Sequence, residues 1–179
     1  MNPVASRGLR QAGFTLIELI VVIGIIAVLA AVALPRLIDA QHDARVAKAK
    51  AIHGSLRSAA ALARARCELD LSSSSSATTP DCRSVPPVVV MDGHAVRIVN
   101  HFPAASADGI DVAGDLNLAA DGIQAGVGTA VNSLGITVPS RYFDIDAGSA
   151  PTCRITYLEA ALNGAVIVAP ELSVTTAGC

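Results

Sequence analysis

The stretch that decides the fold is Gly13-Phe14-Thr15-Leu16-Ile17-Glu18-Leu19, which places one carboxylate inside a long apolar run. The run extends over 21 residues, from Phe14 to Leu34. At about 1.5 Å per residue it predicts a helix of roughly 31 Å, enough to span a bilayer core. A charge at that depth is costly unless it is paired, so Glu18 is predicted to be a functional group. No later stretch is long and apolar enough to be a second span, which predicts a single-pass protein.

The N-terminal segment has an alternative interpretation, an ordinary secretory signal peptide. Thirteen mostly polar residues that include Arg7 and Arg10 come first, and Ala31-Val32-Ala33 is a small-x-small triplet after which a signal peptidase could cut. The run is long for a signal peptide, however, and Glu18 is out of place inside one. Thr15 and Glu18 also fit a capping box, which predicts that a helix begins here.

Beyond Pro35 the helical pattern continues and becomes amphipathic. Apolar residues recur at spacings of three and four along one stripe: Val46, Ala49, Ile52, Leu56, Ala59 and Ala63. Pro35 removes one backbone hydrogen bond and is expected to kink the helix. We therefore expect one kinked helix from Thr15 to about Ala65, apolar on all sides in its first half and amphipathic in its second.

The rest of the chain predicts an antiparallel sheet on the amphipathic half of the helix, an α+β arrangement. Ser72–Pro80 reads as a low-complexity surface loop, and residues 88–99 as a hairpin with an Asp92-Gly93 turn. Residues 105–121 are expected to form one short helix. Further strands are expected at 141–146, 153–158, 165–169 and 172–176.

The chain has four cysteines, an even number, in the part that would lie outside the cytoplasm: Cys67, Cys82, Cys153 and Cys179. None forms a CxxC pair, which favours disulfides over zinc or redox chemistry. Four cysteines allow three connectivities of two disulfides each. We favour the connectivity with two local disulfides, Cys67–Cys82 and Cys153–Cys179. A disulfide that closes a loop of the size between Cys67 and Cys82 would stabilise the fold by about 3 kcal/mol, because it restrains the unfolded chain.

Charge is distributed unevenly along the chain. Residues 36–66 carry seven basic and two acidic side chains, a net charge of +5, whereas residues 67–179 carry four arginines and twelve carboxylates, a net charge of −8. Opposed blocks favour contacts between copies of one chain, although two merely solvated faces would give the same pattern. The five aromatic residues all lie outside the basic stretch, so no nucleic-acid partner is expected.

Few residues support catalysis, and we expect neither an enzyme nor a cofactor. There is no HExxH or GxSxG motif, and Gly126-Val127-Gly128 is predicted to be a turn rather than a dinucleotide loop. The acidic cluster of Asp108, Asp111, Asp115 and Asp121 raises a calcium hypothesis. Its spacing matches no EF-hand, so we favour a solvated helix face and no metal; Asp144 and Asp146 are not expected to be catalytic.

The N-terminal motif resembles the processing site of type IV prepilins: a short basic leader that ends in Gly13, then Phe14, then Glu18. The stretches 34–48, 58–63, 99–104 and 153–160, with the Gly178-Cys179 tail, are most similar to mannose-sensitive haemagglutinin pilins. The resemblance implies cleavage between Gly13 and Phe14 by a prepilin peptidase, and N-methylation of Phe14. It also implies that Glu18 pairs with the Phe14 amine of a neighbouring subunit during assembly.

The resemblance implies a pilin fold in four parts: a leader at 1–13 that is removed, a membrane and filament-core helix at 14–35, its amphipathic half at 36–66, and a disulfide-stapled head at 67–179. The expected function is a subunit that leaves the inner membrane through an assembly platform and polymerises with copies of itself and other pilins into a surface filament for adhesion. A type II secretion pseudopilin, or a minor pilin that binds a ligand or DNA, remains the alternative. Many such pilins have glycine where Ala27 stands here, so local melting of the helix is less secure.

Overall fold

The computed structural model describes residues 14–73, 81–145 and 153–179, and it divides into two compact units, Met1–Gln41 and His42–Cys179. The elements are helix α1 (Leu16–Ser72) and strands β1 (Val88–Met91), β2 (His94–Val99), β3 (Phe102–Pro103), β4 (Ile123–Val131), β5 (Thr137–Ile145), β6 (Arg154–Leu158), β7 (Ala161–Asn163), β8 (Val166–Val168) and β9 (Glu171–Thr175). A short π-helical segment, Ala107–Asp111, precedes β4. One long N-terminal helix followed by antiparallel strands confirms the predicted α+β class.

Helix α1 ends later than the sequence predicted, at Ser72 instead of about Ala65. The buried stripe of the helix continues past Ala65, since Cys67, four residues after Ala63, is also fully buried. Arg66 and Asp70, another pair four residues apart, form an ion pair of 3.3 Å on the surface of this last part. Pro35 lies within α1, and the kink expected from it stays a prediction.

The predicted apolar stripe of α1 is confirmed within the unit His42–Cys179. Ala49, Leu56 and Ala63 are completely buried, and Val46 and Ile52 pack at the margin of the core cluster that contains Ala49 and Leu56. The core partners of the stripe come from the π-helical segment and the sheet: Ile110, Phe143, Ile155 and Tyr157. Because several stripe residues are alanines, the helix can pack closely against this core.

The hairpin of β1 and β2 forms where the sequence predicted it. The strands pair antiparallel from Val88 opposite Arg97 to Met91 opposite His94. The two turn residues, Asp92 and Gly93, have φ of 47° and 82°, the left-handed conformation that a two-residue turn of this kind requires.

Within the described residues, a second antiparallel sheet has the strand order β4-β5-β6-β9. Strands β6, β8 and β9 lie within a residue or two of their predicted positions, whereas β5 begins at Thr137, four residues before the predicted start. Strands β3, β4 and β7 were not predicted. Asp146, the predicted end of β5, lies outside the described residues, as do residues 74–80 of the predicted Ser72–Pro80 loop.

Two local predictions are wrong. Residues 105–121 do not form one helix. Helical backbone covers only residues 107–113, turns follow, and Asp115 has a φ of 48°, which helical backbone does not allow. Gly126-Val127-Gly128 is not a turn but the centre of β4. Gly126 lies opposite Tyr142, and a Cβ at this position would lie 2.1 Å from Cζ of the Tyr142 ring. The ring covers the glycine, which compensates for the low strand propensity of glycine.

Candidate assembly surface

The N-terminal motif lies at the exposed start of α1. The side chain of Phe14 is 88% exposed, and the backbone N–H of Glu18 donates to Oγ1 of Thr15 at 3.3 Å, which is one half of the predicted capping box. The Glu18 carboxylate is exposed and makes no ion pair with any described residue. Gly13, the other side of the predicted cleavage site, lies outside the described residues. Among the described residues, no positively charged group therefore neutralises this acid.

The apolar residues on both sides of Glu18 are uncovered in the single chain. Leu16 is 75% exposed, Val28 is 68% exposed and Ile38 is 59% exposed, and the large apolar side chains between them are also exposed. A contiguous apolar surface of this size is typical of segments that contact lipid or other protein chains.

The same segment is long and apolar enough to cross a bilayer. Of the described helices, only α1 passes this test of length and composition, which signal sequences and core helices can also pass. Within its most apolar window, no residue is buried.

Some cationic side chains of the basic half of α1 have partners within the chain. Arg64 approaches Glu68 at 3.9 Å, and its guanidinium lies 5.1 Å from the ring centre of Phe102. Nη1 of Arg45 donates to the carbonyl oxygen of Cys179 at 3.3 Å. Lys50 and Arg57 are exposed and make no ion pair with a described residue. Part of the positive charge thus remains available to a partner.

The structure joins the cysteines in the two local pairs, Cys67 with Cys82 and Cys153 with Cys179, with Cα–Cα distances of 5.2 and 4.5 Å. The first pair links the last turns of α1 to the segment before β1. The second pair links the start of β6 to the C-terminal residue, which the Arg45 contact also holds against α1.

The acidic cluster is divided among different contacts. Asp111 is not on a solvated helix face, as the sequence suggested, but is buried and accepts a bidentate pair of hydrogen bonds from Arg141, with Nε–Oδ1 at 3.0 Å. Asp108 accepts from Oγ of Ser106 at 2.6 Å and lies 3.6 Å from Arg97. The Ser106 hydrogen bond lowers the pKa of Asp108. Among the described residues, no three His, Cys, Asp or Glu side chains form a group that could hold a metal ion. Asp115 therefore belongs to no such group.

A polar cluster on the sheet was missed by the sequence analysis. Arg154 donates to both carboxylate oxygens of Asp144, at 2.6 and 2.7 Å, and stacks 4.3 Å from the ring centre of Tyr142. The Asp144 hydrogen bonds raise the pKa of Arg154. Deeper in the core, burial raises the pKa of Tyr157, whose hydroxyl donates to the carbonyl oxygen of Pro103 at 2.6 Å. These contacts join β6 to β5 and to β3 but bring together no nucleophile and base.

Comparison with known proteins gives two findings on the N-terminal segment. Residues 8–34 match the family described as the prokaryotic N-terminal methylation motif. Over 55 residues the chain is 47% identical to the type IV narrow pilus major component PilA5 of Thermus thermophilus, an alignment that covers 31% of this chain and 47% of that protein. The chain thus spans about half the length of this curated relative. No solved structure matches the chain.

The motif and the relative together show that the N-terminal segment of the chain is similar to that of type IV pilins. The long apolar N-terminal helix and the cysteine pairs at disulfide distance fit this class. The closer likeness to mannose-sensitive haemagglutinin pilins stays a prediction.

Proposed function

We propose that the chain is a filament subunit that is cleaved between Gly13 and Phe14, methylated at Phe14 and polymerised through the first half of α1 into a surface fibre for attachment. The observation that carries the proposal is the fully exposed apolar segment that contains a single carboxylate, Glu18. It begins as a membrane span in the inner membrane. A prepilin peptidase and an assembly platform are the partners that the processing and the polymerisation require.

The exposed apolar surface supports burial between copies. Leaving this surface in water costs roughly 25 cal/mol per Å² of apolar area, so it requires either lipid or an apolar protein partner. A second copy offers the same apolar surface, and a bundle of such helices removes it from both water and lipid. A fibre whose centre is made of this segment therefore satisfies the chain after it leaves the membrane.

Glu18 supplies the specificity of that packing. An unpaired carboxylate in an apolar bundle costs several kcal/mol, and an ammonium partner offsets the cost. Cleavage after Gly13 creates such an ammonium at Phe14. Pairing of Glu18 in one copy with Phe14 in a neighbour would fix the axial offset between them, because other offsets leave both charges unpaired.

The head and the basic half of α1 contribute the outer contacts. Residues 67–179 carry a net charge of −8, and the exposed Lys50 and Arg57 lie on the basic half. Attraction between the acidic head of one copy and the basic helix of another would reinforce the packing at low salt and weaken at high salt.

The test compares Glu18→Gln with Asp39→Asn, a matched loss of one carboxylate from an exposed position on the same helix. Intact mass is measured for the membrane fraction and for the fraction sheared from the cell surface. We expect the native chain in the sheared fraction as a 166-residue species, Phe14–Cys179, with an N-methylated Phe14 and a mass lower by four hydrogen atoms because two disulfides have formed. Asp39→Asn should match it, whereas Glu18→Gln should stay in the membrane with at least about a tenfold loss of sheared protein.

Three results would contradict parts of the proposal. Normal sheared yield from Glu18→Gln would remove the assembly role of Glu18. Processed native chain found only in the membrane would favour a pseudopilin or a minor pilin. A secreted chain that starts at Leu34 would mean that the N-terminus is a signal peptide.

A further inference from the structure

Strand β4 presents an open hydrogen-bonding edge. It is the outermost strand of the β4-β5-β6-β9 sheet within the described residues. The N–H of Ile123 points away from β5, since it donates to the carbonyl oxygen of Leu118 at 2.8 Å. The N–H of Asn132 points towards the β5 side, since it donates to the carbonyl oxygen of Ile136 at 2.9 Å. Because antiparallel pairing alternates from residue to residue, the odd-numbered residues of β4 direct their N–H and C=O groups outwards.

Four residues therefore form the open edge: Ala125, Val127, Thr129 and Val131. Their outward backbone groups make no hydrogen bond with another described residue. Natural proteins usually protect such edges with charges, proline or a bulge. Residues 123–131 contain no charge and no proline, and they pair with β5 without interruption.

Two of the side chains along this edge are large, apolar and exposed. Val127 is 67% exposed and Val131 is 61% exposed, and both lie on the same face of the strand. The edge thus combines unpaired backbone groups with uncovered apolar side chains, a combination that predicts pairing with another strand.

We propose that β4 pairs antiparallel with β4 of a second copy, so that two heads share one continuous sheet. One register uses every open group: Gly128 lies opposite Gly128 of the second copy, Val127 opposite Thr129, and Ala125 opposite Val131. The four resulting pairs of outward-facing residues exchange about eight backbone hydrogen bonds, two for each pair.

Charge and shape favour a second copy as the occupant. Neither strand brings a charge to the seam, so no like charges lie directly opposite each other there. Gly128 and Gly128 of the second copy would form a non-hydrogen-bonded pair, in which the two Cα atoms are about 4.5 Å apart. Glycine has no side chain to hinder this close approach. The valines of the two copies lie side by side on one face, where each covers part of the apolar surface of the other. A two-fold contact of this kind is self-complementary.

The test uses single cysteines, because none of the described cysteines is free. Gly128→Cys in the purified full chain in detergent places two thiols directly opposite each other, within disulfide reach. The Gly128 backbone does not have a left-handed φ. The nearest atom to an added Cβ is Oγ of Ser140 at 3.3 Å, a tight contact that a shift of a few tenths of an ångström in this side chain would relieve. The control is Gln124→Cys, an exposed residue on the same strand whose two copies would lie about 27 Å apart in this register.

Under mild oxidation we expect Gly128→Cys to form a covalent dimer at least about tenfold faster than Gln124→Cys. Adding Val127→Lys should reduce the rate to that of the control, whereas Val127→Thr should leave it unchanged. Equal rates for the two cysteine variants, or no effect of Val127→Lys, would overturn the proposal.

A second measurement avoids substitution of the glycine. A mixture of Val127→Cys and Thr129→Cys chains should give the mixed dimer faster than either chain gives its own dimer, because these positions lie opposite each other only in the proposed register. Homodimers that form as fast as the mixed dimer would exclude this register. Neither measurement requires fibres, so the result is separate from the test of Glu18.

Discussion

The two units of the chain contrast in how far each satisfies its own side chains. Within the described part of His42–Cys179, apolar residues of helix and sheet cover one another, and no buried side-chain nitrogen or oxygen lacks a hydrogen-bond partner. In the described part of Met1–Gln41, the large apolar residues are exposed and the Glu18 carboxylate has no described partner. Met1–Gln41, the first unit, is built for contact with other molecules, whereas His42–Cys179, the second unit, is built as a self-sufficient fold.

The largest expected effect comes from breaking the buried ion pair of the second unit. Asp111→Ala leaves the Arg141 guanidinium buried without its partner, and we expect the free energy of unfolding to fall by about 3–5 kcal/mol. The measurement is denaturant unfolding of the full chain in detergent, followed by tyrosine fluorescence.

The control is Asp108→Ala, which removes an exposed carboxylate and should cost less than about 1 kcal/mol. The double variant Asp111→Leu with Arg141→Met should recover much of the loss, since no charge is then left buried. Equal stability of Asp111→Ala and Asp108→Ala would show that the pair is not buried in solution.

A matched pair of leucines on α1 compares the two units directly. Leu56 is completely buried, so Leu56→Ala should lower the free energy of unfolding by about 2–5 kcal/mol. Leu29 is 65% exposed in the single chain, so Leu29→Ala should change it by no more than about 0.5 kcal/mol. The same denaturant titration checks both variants. A large loss from Leu29→Ala would mean that the apolar segment contributes to the stability of the single chain.

The smallest expected effect concerns the pKa of Asp108. Because that pKa is lowered from 3.8 in the folded chain, the carboxylate contributes stability above about pH 4 and loses it as the pH falls through the folded pKa. Ser106→Ala removes the main cause and should raise the pKa of Asp108 towards 3.8. An NMR titration of the carboxyl group checks this change, and an unaltered pKa would contradict the role of the Ser106 hydrogen bond.

Sequence patterns predicted the elements whose signals are local. The spacing of apolar residues predicted the packed stripe of α1, and Asp92-Gly93 predicted the turn of the first hairpin, because both signals arise from near neighbours in the chain. Strand β4 was missed because its glycines weaken the local signal. Its strand pairing depends on Tyr142, whose ring covers Gly126. The contact joins residues sixteen positions apart, which no local pattern encodes.

The environment of Asp111 was also beyond local patterns. Its spacing from Asp108 and Asp115 suggested an exposed helix face, but Arg141, thirty residues away, draws the carboxylate into the core. A charge pattern predicts where carboxylates lie in the sequence, and only the packing of the sheet decides which of them is buried.

The sequence by itself determined the apolar span, the position of Glu18 within it and the amphipathic continuation of the helix, because hydrophobic periodicity and the cost of a buried charge act along the chain. Tertiary structure alone decided which strands pair, which carboxylate is buried and which sheet edge stays open. These features depend on contacts between residues far apart in sequence, whose free energy appears only once the core has closed around them.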